Sequence, residues 1–458
     1  MRYRNIGISI FVLTALAARC LAAQTTDVIG ALIDAAAPGS TITVPAGVYQ
    51  GHLRITKGVV LDGHGAVTID GGGEGTVVEL LAPNTTLRGF TISGSGAGVD
   101  REPAGIRAET GPVVIEDNVV DDVLFGIDLR TAPDSIVRNN LVTSKHLEAG
   151  RRGDGIRLWW SHNCTIEDNS VHRSRDMVFW YSEGLHIRGN HVTDSRYGLH
   201  FMYSHDTTLE HNTLDGNSVG IYLMYSNRIT VQDNVLVRNR GASGYGLGLK
   251  DCDDIVVRNN AMLANRVGIY IDNSPSSVDS NGLVEHNAVQ YNEIGFLATP
   301  NTHNNDLTEN AFIENEQQVA VHGKGDLAQN HFARDGRGNF WSDYAGFDLQ
   351  GDGIGDLPYE SRNLFESLLA TDPNLRIFVN SPAQQAVEFA GRALPQLQPN
   401  PSFTDPSPLV QRPVSLAAGT SSRFNAAMGF VSLILLCVAG AGLWLGAERG
   451  LRRKEALS

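Results

Sequence analysis

One short pattern of polar and hydrophobic positions, apolar-x-x-Asn-x-apolar, recurs ten times between Ile115 and Phe332. The typical interval between successive asparagines is about 22 residues, which is the period of a solenoid rather than of a pair of helices. Before most of these asparagines a glycine is followed by alternating apolar positions, as in residues 198–201 and 220–223. The ten asparagines are Asn118, Asn140, Asn169, Asn190, Asn212, Asn234, Asn260, Asn287, Asn310 and Asn330.

Alternation of period two is typical of β-strands that bury one face. The chain is therefore predicted to be all-β, a right-handed parallel β-helix with rungs of about 22 residues. Asparagine at a fixed corner tolerates the left-handed conformation, and stacked amides can hydrogen-bond from rung to rung. Apolar residues at helical spacing between Val28 and Ala36 predict a short helix that caps the first rung.

The two ends of the chain predict its compartment. Residues 1–23 have basic residues, a short apolar run and small residues, which is the form of a secretory signal peptide. Residues 424–447 contain no charged side chain and are long enough to cross a bilayer as a helix. Four basic residues in the tail, 448–458, place that tail in the cytoplasm. We expect a periplasmic protein anchored to the inner membrane by one C-terminal span.

Between these ends the sequence predicts three regions. Residues 24–335 form the β-helix with its N-terminal cap, and residues 336–380 form an acidic C-terminal cap. Residues 381–423 begin with an amphipathic helix, which Ser381 and the following proline initiate, and continue as a stiff proline-rich tether. That helix could dock a partner or pack against the end of the coil.

The net charge and the positions of the cysteines limit the partners and the disulfides that the chain can have. The formal net charge of -14 argues against nucleic acid as a partner and is compatible with cations or a basic protein surface. Cys164 and Cys252 lie four asparagine rungs apart, roughly 19 Å at about 4.8 Å per rung, so they cannot form a disulfide.

Alignment of the rungs by their glycines places two methionines together. Met202 and Met224 fall in one outward column on neighbouring rungs, with His200 two residues along and Trp180 one rung behind. Thioethers select Cu(I), and imidazole also binds copper, so His200, Met202 and Met224 are a candidate open site for transient Cu(I). The alternative is an apolar groove covered by a loop or a partner protein.

A second candidate metal site lies in the acidic region. Asp348, Gln350, Asp352 and Asp356 have the spacing of a loop that wraps Ca²⁺. Gln350 replaces the usual Asp or Asn, and Tyr359 stands where a bidentate Glu would close the shell. The alternative is an acidic, glycine-rich turn that ends the coil.

Exported β-helices that act on acidic polysaccharides as lyases, hydrolases or epimerases are the rival class, although fold alone is a weak argument for function. Such enzymes need paired carboxylates, or an acidic cluster with a base, on one outward face. His64 and the pair Asp253 and Asp254 resemble pieces of such sites, but the repeat places them about eight rungs apart. We therefore expect no enzymatic activity.

Several motifs resemble the NosD family, the periplasmic maturation factors of nitrous oxide reductase. The resemblance covers roughly residues 25–415. Its more specific pieces are residues 199–203 (Leu-His-Phe-Met-Tyr), 248–250 (Gly-Leu-Lys) and 339–344 (Asn-Phe-Trp-Ser-Asp-Tyr).

The resemblance implies a non-enzymatic role outside the inner membrane. Family members act with an ABC transporter built from the NosF ATPase and the NosY permease. They also act with the copper chaperone NosL and with the nitrous oxide reductase apoprotein, whose copper centres they help to assemble. His200, Met202 and Met224 match the part of the family sequence that carries methionine and histidine. The C-terminal span is not expected from the family.

Overall fold

A computed structural model of the chain describes residues 24–361, 364–379, 381–394, 396 and 400–413. Its main part is a parallel β-solenoid of about 13 turns, which confirms the predicted all-β coil. Each turn, or rung, gives one strand to each of three parallel sheets. Early in the coil, strands Val60–Asp70 and Thr85–Ser93 bend and belong to both the first and the second sheet.

The remaining strands of the three sheets follow in chain order. The first sheet contains Thr41–Thr43, Val113–Glu116, Ile136–Arg138, Thr165–Glu167, His186–Arg188, Thr207–Glu210, Asn227–Gln232, Asp253–Arg258, Gly282–Glu285 and Asn305–Thr308. The second contains Gln24–Thr25, Gly47–Gln50, Val119–Val123, Leu141–Ser144, Ser170–His172, His191–Thr193, Thr213–Asp215, Val235–Val237, Ala261–Leu263, Ala288–Gln290, Ala311–Ile313 and Phe340–Trp341. The third contains Leu53–Ile55, Val78–Leu80, Ala104–Ala108, Phe125–Arg130, Ile156–Trp159, Asp176–Trp180, Tyr197–Met202, Val219–Met224, Tyr245–Lys250, Val267–Asp272, Ile294–Ala298 and Gln317–Val321.

The predicted N-terminal cap is present as helix α1, Asp27–Ala35. Ile29 and Ile33 are fully or almost fully buried against the first rungs, so the apolar side of the helix closes the core. The Lys57 ammonium group donates hydrogen bonds to three carbonyl oxygens at the end of the helix, where a positive charge also favours the helix dipole.

The core consists of inward columns that run along the coil. In the third sheet, two predicted columns are in register and almost fully buried, which confirms the alternation predicted from the sequence. One column is Ile156, Met177, Leu199, Ile221, Leu247 and Ile269, and the other is Leu158, Phe179, Phe201, Leu223, Leu249 and Ile271. Cys164 and Cys252 are buried free thiols, as the rung spacing predicts.

The repeated asparagines form a buried hydrogen-bonded ladder. The Asn212 side chain donates to the Ile187 carbonyl oxygen and to Asn234 Oδ1, and its own Oδ1 accepts from the Asn190 backbone. The ladder runs from Asn118 to Asn310 and ends at Asn339.

Two details of the predicted ladder are wrong. Asn330 matches the sequence pattern but pairs with Asn305 in a different column, and Asn339 takes the tenth place. The left-handed corner residue is the one before the ladder asparagine in nine of the ten rungs, for example Asp168 at φ 53° and His211 at φ 55°. The asparagine amide is therefore free to point inward, because its neighbour makes the turn.

Two further ladders were not predicted as hydrogen-bonded columns. Asn217, Asn239, Asn265, Asn292 and Asn315 form a second asparagine ladder at the corner between the second and third sheets. At another corner, the hydroxyl groups of Ser182, Ser204 and Ser226 each accept from the backbone of the preceding rung. These columns hold each corner at a fixed distance from the next.

The C-terminal end of the coil is closed by residues that were predicted to be tether. Asp405 is fully buried and accepts hydrogen bonds from the Asn339 backbone (2.7 Å) and the Trp341 indole (2.9 Å). Phe403 packs on Trp341, and Leu409 is also buried. The extended tether is therefore wrong for residues 402–409, because these side chains cover the apolar end of the last rung. The paired coil also extends past residue 335, to Trp341.

Two helices follow the coil. Helix α2, Leu364–Thr371, packs on the strand Gln317–Val321, and helix α3, Pro382–Ala393, packs on α2. A 3-10 helix, Pro373–Phe378, joins them, and two others span Val99–Arg101 and Ala149–Arg151. Ser381 accepts from the Gln384 backbone, as its predicted capping role requires. A two-stranded antiparallel pair, Tyr359–Glu360 and Thr404–Asp405, completes the end.

The predicted signal peptide, residues 1–23, and the predicted span, residues 424–447, lie outside the described residues. Within the described residues, no helix combines the length and the apolar character that a membrane crossing needs.

The ladder allows a test of what holds the rungs together. Replacing Asn212 by Ala leaves the Asn190 backbone N–H and the Ile187 carbonyl oxygen without their partners in a buried column. Since each orphaned buried group costs about 1–3 kcal/mol, the free energy of unfolding should fall by roughly 3 kcal/mol. Guanidinium unfolding followed by circular dichroism measures this. The matched exposed variant Asn281→Ala should change it by less than about 0.5 kcal/mol. Equal effects would contradict the ladder's role.

Candidate functional site

The two predicted methionines lie side by side on the outer face of the third sheet. Met202 pairs in register with Met224 on the next rung and with Trp180 on the previous rung. Adjacent strands of a sheet are about 4.8 Å apart, and both methionine side chains are half-buried. The structure therefore brings together the residues that the rung alignment placed in one column.

His200 is less open than the sequence suggested. It lies on the same strand as Met202 and faces the same side, but only 5% of its surface is exposed. The ring of Tyr197 packs edge-on at 4.8 Å between centroids, that of Trp180 at 5.8 Å, and Tyr222 lies at 6.5 Å. Aromatic side chains of the same face therefore enclose the imidazole, whereas the two thioethers remain half-buried.

Two ring nitrogens in this enclosure have no hydrogen-bond partner among the described residues. One is His200 Nε2, and the other is the indole Nε1 of Trp180. Buried polar atoms are almost always hydrogen-bonded, since an unpaired one costs about 1–3 kcal/mol. The His200 Nε2 atom and the Trp180 Nε1–H group are thus both buried near Met202 and Met224, and neither has a hydrogen-bond partner among the described residues.

Asp176 lies beneath His200 and was not predicted. Its carboxylate is fully buried, and Oδ2 is 3.3 Å from His200 Nδ1. Arg196 Nε donates to Oδ1 at 2.9 Å, and the Tyr197 backbone N–H donates to the same oxygen at 3.2 Å. Burial alone raises the pKa of Asp176, but the hydrogen bonds from His200 and Arg196 outweigh it, so the pKa lies below its usual value.

One rung earlier, Asp154 makes a similar pair with Arg175 through two hydrogen bonds of 2.9 Å. Here burial prevails over the arginine, and the pKa of Asp154 rises to about 6. The pKa values of the two carboxyls shift in opposite directions because Asp176 has the additional imidazole partner, while the nearby charge of Asp176 further raises the pKa of Asp154.

The outward column of the third sheet that contains His200 carries charged side chains in the earlier rungs. Arg107 and Arg157 both donate to the fully buried Asp128, at 3.0 and 2.9 Å, and Glu102 on a covering loop pairs with Arg157. The column then continues through Val178 to His200. Extending the rung alignment upstream would have found these residues, since Arg157 and His200 occupy the same position of the repeat.

Downstream of His200 the face is aromatic. Tyr222, Tyr245, Tyr270 and His322 follow one another with ring centroids 4.3–6.2 Å apart. Gly248 stands in this column between two tyrosines, and a Cβ there would approach the Tyr222 ring to 2.7 Å. The glycine is thus required because the rings occupy the space of a side chain.

The corner beside the methionines carries a second row of rings. Trp160, Tyr181, Tyr203 and Tyr225 stack face to face with centroids 5.0–5.3 Å apart, and each has φ near 51°. Repeated residues at equivalent corners of a solenoid stack on one another, so this stacking indicates a structural role for the row. Trp160 and Tyr203 nevertheless expose 49% and 42% of their surface beside the methionines.

The acidic loop uses its carboxylates internally. Asp348 accepts from the backbone N–H groups of Gly351 (2.6 Å) and Gly353 (2.9 Å), and these bonds lower its pKa. Asp356 accepts from the Leu349 backbone N–H and, at 3.4 Å, from the Gln350 amide, and Asp352 accepts from the Ile354 backbone. These hydrogen bonds are those of a self-contained turn, and Ca²⁺ at this loop stays a prediction.

Throughout the described ranges, no group of three or more His, Cys, Asp or Glu side chains is placed to hold a metal ion. The methionine and histidine site has a different composition, with two thioethers and one imidazole. The fragments His64 and Asp253, which resemble parts of polysaccharide-cleaving sites, lie on strands of the first sheet with seven others between them. They cannot act on one substrate bond.

A family model described as "Periplasmic copper-binding protein (NosD)" matches residues 139–346. Two related proteins, from Pseudomonas aeruginosa and Stutzerimonas stutzeri, are each described as "Probable ABC transporter binding protein NosD". Each is 30% identical to this chain over 81% of its length, and the alignments cover 89% and 86% of the two proteins.

Among solved structures, the fold is similar to the A-module of the mannuronan C-5 epimerase AlgE6 of Azotobacter vinelandii. The TM-score is 0.54 at 17% identity, over 68% of this chain and 95% of that one. An alginate lyase, AlyF, gives a TM-score of 0.51 at 14% identity, over 68% of this chain and 82% of the lyase. At these identities the likeness concerns the fold alone.

The raised pKa of the buried Asp154 carboxyl predicts that the free energy of unfolding depends on pH. The folded chain keeps the Asp154 proton up to about pH 6, whereas an unfolded Asp releases it near pH 3.8. Between these values the folded state binds more protons, so this group lowers the free energy of unfolding as pH rises. In Asp154→Asn that loss is absent. The free energy of unfolding of the variant, relative to the native sequence, should therefore rise by up to roughly 3 kcal/mol across the window.

An exposed aspartate gives the opposite sign. Hydrogen bonds from Arg228 lower the pKa of Asp206, so the folded state releases this proton more readily and gains stability as pH rises. Asp206→Asn should therefore lose stability relative to the native chain as pH rises through the range below about 3.8. Denaturant unfolding of both variants between pH 2 and 7 measures the slopes. Slopes of the same sign in the two variants would contradict the assignment.

Proposed function

Because the chain belongs to the NosD family of periplasmic copper-binding proteins, we propose that it helps to assemble the copper centres of nitrous oxide reductase. In this role the protein is a non-enzymatic maturation factor outside the inner membrane. Cu(I) is its cargo, held briefly by His200, Met202 and Met224 and then passed on.

The observation that carries the copper proposal is the buried, unpartnered His200 Nε2 beside two thioethers. A lone pair that no internal donor satisfies, in an enclosure of aromatic rings, is the environment that a soft metal ion can stabilise. Thioether and imidazole ligands select Cu(I) over harder divalent ions. The donor set present therefore fits the proposed cargo.

The position of the methionines also favours release of Cu(I) to a partner. Met202 and Met224 are half-buried, so a partner can reach them from the outside, whereas His200 is almost fully buried. Both thioether ligands are neutral and flexible, and they can exchange for ligands of an incoming protein without leaving a buried charge. This behaviour suits a carrier more than a storage site.

The names of the relatives support an association with an ABC transporter. We propose the NosY permease and the NosF ATPase as that transporter, with the chaperone NosL as the copper donor and the reductase apoprotein as the acceptor. The apolar segment 424–447 would keep the chain at the inner membrane beside the permease. Ca²⁺ in the acidic loop would be structural, since the loop lies at the end of the coil away from the methionines.

The second candidate function is a polysaccharide-active enzyme, favoured by the likeness to alginate-modifying β-helices. That likeness concerns the fold alone. The two carboxylates near Met202 on this face, Asp154 and Asp176, are buried and hydrogen-bonded to basic side chains. If the chain is incubated with alginate or pectin, we expect no unsaturated sugars and no epimerised residues. Either product would favour the enzyme over the maturation factor.

The copper site predicts a loss of affinity on removal of the sulfurs. In the double variant Met202→Leu, Met224→Leu the side-chain volume is nearly kept, so the fold should persist while Cu(I) affinity falls at least tenfold, about 1.4 kcal/mol. Anaerobic Cu(I) titration against a competing chelator measures the dissociation constant. Met262→Leu, which changes a core methionine, is the control and should bind as the native chain does. Equal affinity in the double variant and the control would exclude this site.

The maturation role predicts a defect in a living cell. A strain without this protein should produce nitrous oxide reductase that lacks copper, and the Met202→Leu, Met224→Leu chain should restore less copper than the native chain. Metal analysis of the purified reductase measures both. Full copper content in the deletion strain would contradict the proposed function.

A further inference from the structure

The buried carboxylate of Asp176, on the strand of the preceding rung, lies 3.3 Å from His200 Nδ1. We propose that Asp176 is a positioning residue that fixes the His200 ring so that Nε2 is the bare nitrogen and is presented to Cu(I). This inference rests on the proposed function, because it assigns a role within the same site.

The chemistry of the pair determines which nitrogen carries the proton. A carboxylate only accepts hydrogen bonds, so the nitrogen beside it, Nδ1 at 3.3 Å, has to be the donor. In a neutral imidazole the other nitrogen then has a lone pair and no hydrogen. That nitrogen is Nε2, the atom left without a partner. In metal sites, a carboxylate behind the ligating histidine fixes the tautomer and strengthens the ligand in this way.

Asp176 is itself held from several directions. Arg196 donates to both of its carboxylate oxygens, at 2.9 Å to Oδ1 and by a short contact to Oδ2. The Tyr197 backbone N–H fixes Oδ1 as well, at 3.2 Å. Arg196 in turn lies over the Tyr197 ring, 4.6 Å from its centroid. The carboxylate therefore cannot turn away from the imidazole without breaking several charge-assisted hydrogen bonds.

The rings around His200 limit its other motions. Tyr197 and Trp180 both meet it edge-on, at interplanar angles of 77° and 86°, and Tyr222 lies nearly parallel at 19°. A flip of the imidazole that exchanged its two nitrogens would have to pass these rings. The geometry is thus set before any metal arrives, which reduces the cost of ordering the ligand.

The coil supplies its own matched control. Asp154 and Arg175 form a buried aspartate–arginine pair one rung earlier, with two hydrogen bonds of 2.9 Å and, among the described residues, no histidine on the carboxylate. Asp154→Asn and Asp176→Asn each remove one buried negative charge next to one arginine. Only Asp176→Asn alters the partner of His200. There the new amide N–H can donate to Nδ1, which would move the ring proton to Nε2.

The first measurement compares Cu(I) affinity by anaerobic competition with a chromophoric chelator. We expect Asp176→Asn to bind Cu(I) about 10–100-fold more weakly than the native chain, as is typical when such a partner is lost. Asp154→Asn should stay within about twofold. Native affinity in Asp176→Asn, or an equal loss in both variants, would overturn the positioning role.

The second measurement determines the position of the ring proton in the native chain and requires no copper. Nitrogen NMR of copper-free protein labelled with ¹⁵N-histidine reports which ring nitrogen carries the proton, and His200→Gln identifies the signal. We expect a protonated Nδ1 and a bare Nε2 for His200, with the reverse in Asp176→Asn. A native His200 protonated at Nε2 would overturn the inference, whatever the copper affinity.

The two proposals fail in different ways. If the native chain takes up no Cu(I), the proposed function is contradicted, while the tautomer of His200 still supports or overturns the role of Asp176. If the native chain binds Cu(I) through Met202 and Met224 but Asp176→Asn binds it equally well, only the positioning role is lost.

Discussion

The asparagine ladder is the constraint on which the rest of the molecule depends. Each buried amide bonds to the backbone of the preceding rung and to the amide of the next rung. A rung can therefore be neither shifted by one residue nor separated from its neighbour without orphaning buried groups. Insertions have to leave the ladder untouched. The long interval between Asn140 and Asn169 is accordingly taken up by a surface loop that contains the 3-10 helix Ala149–Arg151. Register along the whole coil follows from this rule.

Because register was fixed by a repeat visible in the sequence, most of the fold was predictable. The inward columns, the pairing of Met202 with Met224 and the separation of Cys164 from Cys252 all follow from the spacing of asparagines and glycines. Asn330 was wrongly assigned to the ladder because its local sequence fits the pattern. Only the three-dimensional path of the last rung shows that Asn339 continues the ladder.

The environment of the site was less predictable than its register. Alternation shows that His200 faces outward, but it does not show that Tyr197 and Tyr222 cover it, since these contacts depend on ring orientations. Asp176 lies at a bulge in the strand pairing, where a rung count is off by one. Residues 402–409 resemble a tether in sequence because prolines dominate them, although Asp405 and Phe403 supply the buried polar and apolar contacts that hold the segment on the last rung.

The intervals of the ladder also determine which shapes can reach the methionines. His200, Met202 and Met224 lie within three consecutive short rungs, between Asn169 and Asn234. The interval before Asn169 and the interval after Asn234 are both longer, and their extra residues lie between the second- and third-sheet strands of those rungs. The three short rungs span roughly 15 Å along the axis. Over that distance a partner meets the methionines on regular sheet without inserted residues.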